Sequence, residues 1–145
     1  MSIGVIIVDH GSRRDESNQL LLRVVDLLAA ASDCPGVGEV NMELGEPSIG
    51  AACSQCVARG ATTVVVFPYF LLPGRHWDED IPRLAAAAAA NHPGVRHLVT
   101  SPIGVHALMA NIIADRISQC LAHAAGESDG CELCQGTDHC SFVSV

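Results

Sequence analysis

Two short clusters concentrate the side chains able to move protons and hold cations. Asp9-His10-Gly11-Ser12-Arg13-Arg14 follows the apolar run 3–8, and Pro73-Gly74-Arg75-His76-Trp77-Asp78-Glu79-Asp80-Ile81-Pro82 leaves another apolar run in the same way. Each sets an imidazole beside guanidinium groups where a buried strand would end. Imidazole titrates near neutral pH and ligates transition metals when neutral, so it suits both proton acceptance and an exchangeable metal contact. Glu43, near the end of a further strand pattern, would project toward the same edge and add a carboxylate. Two imidazoles and a carboxylate suit Fe, Co, Ni, Cu or Zn rather than Mg or Ca, and they leave coordination positions open for delivery or catalysis. Read singly, either histidine can instead bond the backbone of its own turn, the lesser of the two readings.

The elements that must position these residues alternate. Residues 3–8 form a β-branched apolar run of the length of a buried parallel strand. Ser12 and Asp15 have capping-box-like spacing, and Leu20, Leu21, Val24, Val25 and Leu28 recur at helical intervals toward Ala31. Residues 38–44 read as a strand, 47–59 as a helix broken by Gly60, and 62–67 as a third strand feeding the long segment 69–80. Pro82 opens an alanine-rich helix closed by Asn91, Pro93 and Gly94, residues 95–99 form a fourth strand, and a last helix runs over 105–123. The pattern predicts an α/β fold with a small, doubly wound, mostly parallel four-stranded sheet and helices on both faces. Ligands of such sheets sit beyond the carboxyl ends of the strands, where helix N-termini add N–H donors for an anion. The glycine-containing stretch 126–130 divides a domain over 1–125 from a Cys-rich tail over 126–145.

Composition narrows the partners. The chain has 145 residues, is 49% apolar, and carries a formal charge of −8 with only eight Lys and Arg. Nucleic-acid binding draws on Lys and Arg neutralising phosphates, so that class is disfavoured. No apolar run is long enough to span a bilayer, which predicts a protein without a membrane anchor. Against the acidic background, Arg13, Arg14 and Arg75 mark a local anion site. The seven cysteines are an odd count, and with no secretory leader in the sequence they point to soft-metal ligation or burial rather than a disulfide framework. Cys53 and Cys56, at helical spacing, together with Cys34 and Cys120, are expected to be small buried hydrophobes.

His10-Gly11-Ser12-Arg13, Met42-Glu43-Leu44 with Glu46-Pro47, and 68–76 with Asp80-Ile81-Pro82 closely resemble the small class II chelatases, the sirohydrochlorin chelatase family. The resemblance covers about residues 3–123 and, with the Cys-rich end, is nearest the plant plastid ferrochelatase branch. It implies insertion of Fe²⁺, as substrate, into sirohydrochlorin to give sirohaem, without a nucleotide. By the same resemblance His10 is proton acceptor and transient ligand, His76 is partner ligand or second acceptor, and Glu43 meets the ion or orients a histidine. Ser12, Arg13 and Arg75 bind the carboxylates of the substrate. Tyr69, Leu72 and Trp77 line an apolar wall, whereas Phe70 and Leu71 are expected in the core. A short chain of this kind implies a homodimer with the cavity between subunits, located in the chloroplast stroma after loss of its address, or otherwise in the cytoplasm.

The tail offers Cys131, Cys134 and Cys140, one thiolate short of the four usual for zinc or a [2Fe–2S] cluster. A cluster shared across the dimer, two cysteines from each chain, would make up the number, and the plant resemblance favours that cluster. A zinc site completed by His139 and an unstructured redox tail are the rivals. For the whole chain the alternatives are a cobaltochelatase of the same family and a non-catalytic metal or iron–sulfur carrier or redox sensor. A flavodoxin-like phosphate binder is a weaker rival, since the first turn lacks a glycine-rich fingerprint.

Overall fold

A computed structural model of the chain describes residues 2–9, 15–31, 37–42 and 48–143, the side chains at 15–18, 37–42 and 76 excepted. Its elements are β1 (Ile3–Asp9), α1 (Asp15–Ala30), β2 (Val37–Met42), α2 (Ile49–Ala58), β3 (Thr63–Pro68), a π-helical turn (His76–Asp80), α3 (Ile81–Ala89), β4 (Arg96–Val99) and α4 (Ala107–Ala124). The four strands pair in the order β2-β1-β3-β4, every pair parallel, as the alternation of strands and helices predicts. By contact density the chain forms two units, Met1–Gly104 and Val105–Val145. The second unit thus takes in α4 as well as the tail, where sequence composition alone sets the division after residue 125.

Strand periodicity explains how the first unit fills both faces of its sheet. Ile6 and Val8 of β1 with Val64 and Val66 of β3 join Ile49, Ala52, Cys53 and Cys56 of α2 and Ile81, Ala85 and Ala88 of α3 in one core. The alternate residues, Val5 and Ile7, meet Leu21 of α1, with Val25, Leu28, Val65 and Phe67 packed around them. Both central strands are therefore apolar through their middles, Val5 to Val8 and Val64 to Phe67. Cys53 and Cys56 are buried core residues as expected, and burial pushes the Cys53 thiol up. Gly4 permits the close approach of α2 to β1. A Cβ there would lie 2.7 Å from the Cys56 Cβ and 2.8 Å from its Sγ.

Helix ends follow local chemistry. The Ser48 hydroxyl accepts from the Ala51 N–H at 3.2 Å and caps α2, so this helix begins two residues after the expected Pro47. Pro82 sits in the first turn of α3, where its missing N–H is no loss. In α4 the His106 ring does the capping, its Nδ1 accepting from the Leu108 N–H at 3.2 Å. The π-helical turn at 76–80 is a departure from the expected loop, since five residues of mixed polarity give no periodic signal.

Candidate functional site

Register brings three strand ends to one edge of the sheet. Asp9, the last residue of β1, pairs with Met42, the last of β2, while Val8 pairs with Pro68, the last of β3. The Tyr69 N–H then donates to the Val8 carbonyl at 2.6 Å, extending the β1–β3 pairing one step past the strand. From this edge the chain continues into the residues sequence reasoning selects. His10, Ser12, Arg13, Arg14, Glu43 and Cys34 lie outside the described residues. His76 opens the π-helical turn, and only its backbone is described.

Residues 69–80 are tied down along one side. The Ile103 and Gly104 N–H groups donate to the carbonyls of Phe70 (3.0 Å) and Leu71 (2.7 Å), and the Trp77 indole N–H donates to the Thr100 carbonyl at 2.9 Å. Phe70 packs on the core as expected. Leu71 does not: with its carbonyl engaged by Gly104, its side chain is 61% exposed, beside Leu72 at 65%. With Tyr69 they form an exposed apolar shelf beyond β3. Arg75 holds Glu79 at 3.2 Å, both side chains largely in solvent. Such a pair is worth only about 0.3–0.5 kcal/mol, so an arriving carboxylate can replace Glu79.

The second unit contains a thiol centre. Cys120 on α4 and Cys134 and Cys140 of the tail bring their Sγ atoms within 4.8 Å of one another. Cys140 Sγ lies 3.3 Å from Cys120 Sγ, and Cys131 Sγ lies 3.6 Å from Cys134 Sγ. The tail is folded to make this possible. Cys131 to Gln135 form a helical turn, the Thr137 hydroxyl donates to the Cys134 carbonyl at 2.7 Å, and Arg116 of α4 grips both oxygens of Glu132. Cys134 is 3% exposed. Cys140 adopts φ +58°, a left-handed conformation found at no other non-glycine residue among those described. That strain persists only where surroundings enforce it.

Cys120 departs from the expectation of a buried small hydrophobe, since it is only half-buried and its Sγ meets that of Cys140. The set within mutual reach is three, Cys120, Cys134 and Cys140, with Cys131 beside Cys134. Among the described residues the imidazole of His123 meets a thiol, its Nδ1 lying 3.4 Å from Cys134 Sγ. Cys120 and His123 were hidden because both fit the amphipathic pattern of α4, and only their spacing of three, one turn of helix, hints at a common face.

The donor set fits a metal. Crowding acts on the protons: Cys140 is pushed up to about 12, first by its hydrogen bond with Cys120, then by burial and by Cys134. Cys131 moves the other way because the Leu133 and Cys134 backbone N–H groups point at its sulfur. Thiols packed this closely resist becoming thiolates together unless a cation neutralises them. Among the described residues no helix is long and apolar enough to cross a membrane.

Known proteins share this architecture. The CbiX family model matches residues 4–120. The chain is 50% identical over 141 residues to the chloroplastic sirohydrochlorin ferrochelatase of Arabidopsis thaliana, covering 97% of this chain and 63% of that protein. It is 30% identical over 118 residues to the sirohydrochlorin cobaltochelatase of Sulfurisphaera tokodaii, covering 81% of this chain and 93% of the relative. The crystal structure of the sirohydrochlorin chelatase SirB from Bacillus subtilis subspecies spizizenii in complex with cobalt matches with a TM-score of 0.74 at 30% identity, over 81% of this chain and 50% of that one. The chain therefore spans less than two thirds of the Arabidopsis protein and half of the Bacillus chain. The parallel sheet, the strand-end edge and the match across residues 4–120 together establish that this chain belongs to the CbiX family.

Proposed function

We propose that the protein is a sirohydrochlorin ferrochelatase, working at the edge where β1, β2 and β3 end. The observation that carries this reading is the register: Asp9 pairs with Met42 and Val8 with Pro68, so three strands end together, and His10 and Glu43 follow two of those ends in the sequence. Replacing a pyrrole N–H by a metal–nitrogen bond releases a proton, so insertion needs a base beside weak ligands for the ion. In this reading His10 accepts the proton and holds Fe²⁺ in passing. His76 serves as partner ligand or second acceptor, and Glu43 meets the ion or orients a ring. Arg13, Arg75 and Ser12 bind the carboxylates of the macrocycle, and the shelf of Tyr69, Leu71 and Leu72 takes its apolar face.

Iron is favoured over cobalt by the 50% identity to the Arabidopsis enzyme. That enzyme's chloroplastic location also favours the plastid stroma for this one. Because this chain matches half the length of the Bacillus chelatase, a homodimer would restore a two-halved cleft. The chelatase domain is then residues 1–125 and the Cys-rich segment 126–145, with α4 lending Cys120 across that division. Cys120, Cys131, Cys134 and Cys140 hold an iron–sulfur cluster of the [2Fe–2S] kind, which supplies one-electron chemistry when bound. A second reading is a single zinc, favoured by the Sγ atoms of Cys120, Cys134 and Cys140 lying within 4.8 Å of one another. Four sulfurs about 2.3 Å from one ion stand at comparable spacing, and a cluster would spread them.

Anaerobic mixing of protein, sirohydrochlorin and Fe²⁺ tests the activity. An enzyme yields more sirohaem than there are protein sites. Product that stops at one equivalent identifies a carrier instead.

A further inference from the structure

Cys134 is the most enclosed sulfur of the thiol centre and the one most engaged by donors. The Cys131 N–H reaches its Sγ at 3.3 Å, and His123 Nδ1 lies 3.4 Å away on another side. Gly130 leaves room for that approach. At φ +93° it lacks a side chain where a Cβ would stand 2.8 Å from Cys134 Sγ and 3.0 Å from His123 Nδ1. The imidazole arrives from the last turn of α4, a turn above Cys120, so one helix presents both a ligand and a neighbour of a ligand. A metal-bound thiolate has no proton to give. The contact is then favourable only when Nδ1 carries the hydrogen.

We infer that His123 is a positioning residue of the thiol centre, donating its Nδ1–H to Cys134 Sγ without ligating the metal. This rests on the reading of the four thiols as a metal centre. A hydrogen bond to a ligand sulfur withdraws electron density from it, which stabilises the reduced form of a redox-active group and weakens sulfur-to-metal charge transfer. The geometry separates this role from simple packing, because only an N–H at the Nδ1 position reproduces it. Asparagine places an amide N–H near that point, and leucine fills similar space without a donor.

The test compares wild type, His123→Asn and His123→Leu, purified without oxygen and analysed for iron, zinc and sulfide. All three should hold equal metal. If iron is present, His123→Leu should lower the midpoint potential so that its reduced-to-oxidised ratio falls about tenfold at the wild-type midpoint, about 59 mV for one electron. His123→Asn should stay within about twofold. If zinc is present, exchange with Co²⁺ should give a thiolate charge-transfer band that moves to longer wavelength in His123→Leu alone. An unshifted His123→Leu overturns the inference, as does loss of metal from both variants, which would make the imidazole a ligand. A wild type that holds no metal and gives no Co²⁺ band overturns the thiol reading itself.

Discussion

The sheet edge of the first unit and the thiol centre of the second gather chemistry by opposite routes. At the edge, parallel pairing aligns Asp9 with Met42 and Val8 with Pro68, so the ends of three strands become neighbours through topology alone. The thiol centre has no sheet to order it. It depends on a helix residue, Cys120, meeting Cys134 and Cys140 of the tail, 14 and 20 positions onward, held by turns, an ion pair and a strained φ at Cys140. In the proposed function the first arrangement serves an exchangeable substrate ion. The second can close around a resident one. Substitutions should therefore separate them, each disabling one function and sparing the other.

The largest effect is expected at His10. Its replacement by alanine should slow metal insertion by about 10² to 10⁴, the usual contribution of a positioned general base, with circular dichroism unchanged. Next, Cys120→Ser should lose most of the resident metal, measured by elemental analysis and visible absorption, while insertion stays within about twofold of wild type; full retention would return Cys120 to the role of core filler. Arg75→Ala should raise KM for sirohydrochlorin about three- to tenfold with little change in kcat, the effect of losing a charge-assisted bond on an exposed side chain. An unaltered KM would leave Arg75 to its partner Glu79. Gly4→Ala tests the scaffold beneath the edge: forcing Cys56 aside should cost about 1–3 kcal/mol in urea unfolding, and an unmoved midpoint would mean that α2 gives way freely.

Much of the first unit is legible in the sequence because its signals are local. Residues 3–8 and 62–67 announce buried strands by β-branched runs, and the observed strands lie within two residues of those bounds at either end. Cys53 and Cys56 read correctly as core residues because helical spacing and small neighbours predict burial. Leu71 misleads because a leucine in a loop carries no mark of which way it faces. The π-helical turn has no period to reveal it. Cys131, Cys134 and Cys140 advertise a metal centre by proximity in sequence, yet Cys120 and the adjoining imidazole of His123 lie inside α4, where composition gives a single, bland reading. Non-local chemistry of that kind becomes visible only when turns bring the tail back to the helix.

One side-by-side measurement tests the division of labour most directly: sirohaem formation and visible thiolate-to-metal absorption in His10→Ala and Cys134→Ser. The account predicts that His10→Ala keeps its absorption and loses turnover, whereas Cys134→Ser loses absorption and keeps turnover. If Cys134→Ser loses turnover while His10→Ala retains it, the chemistry belongs to the thiol centre and the account is contradicted.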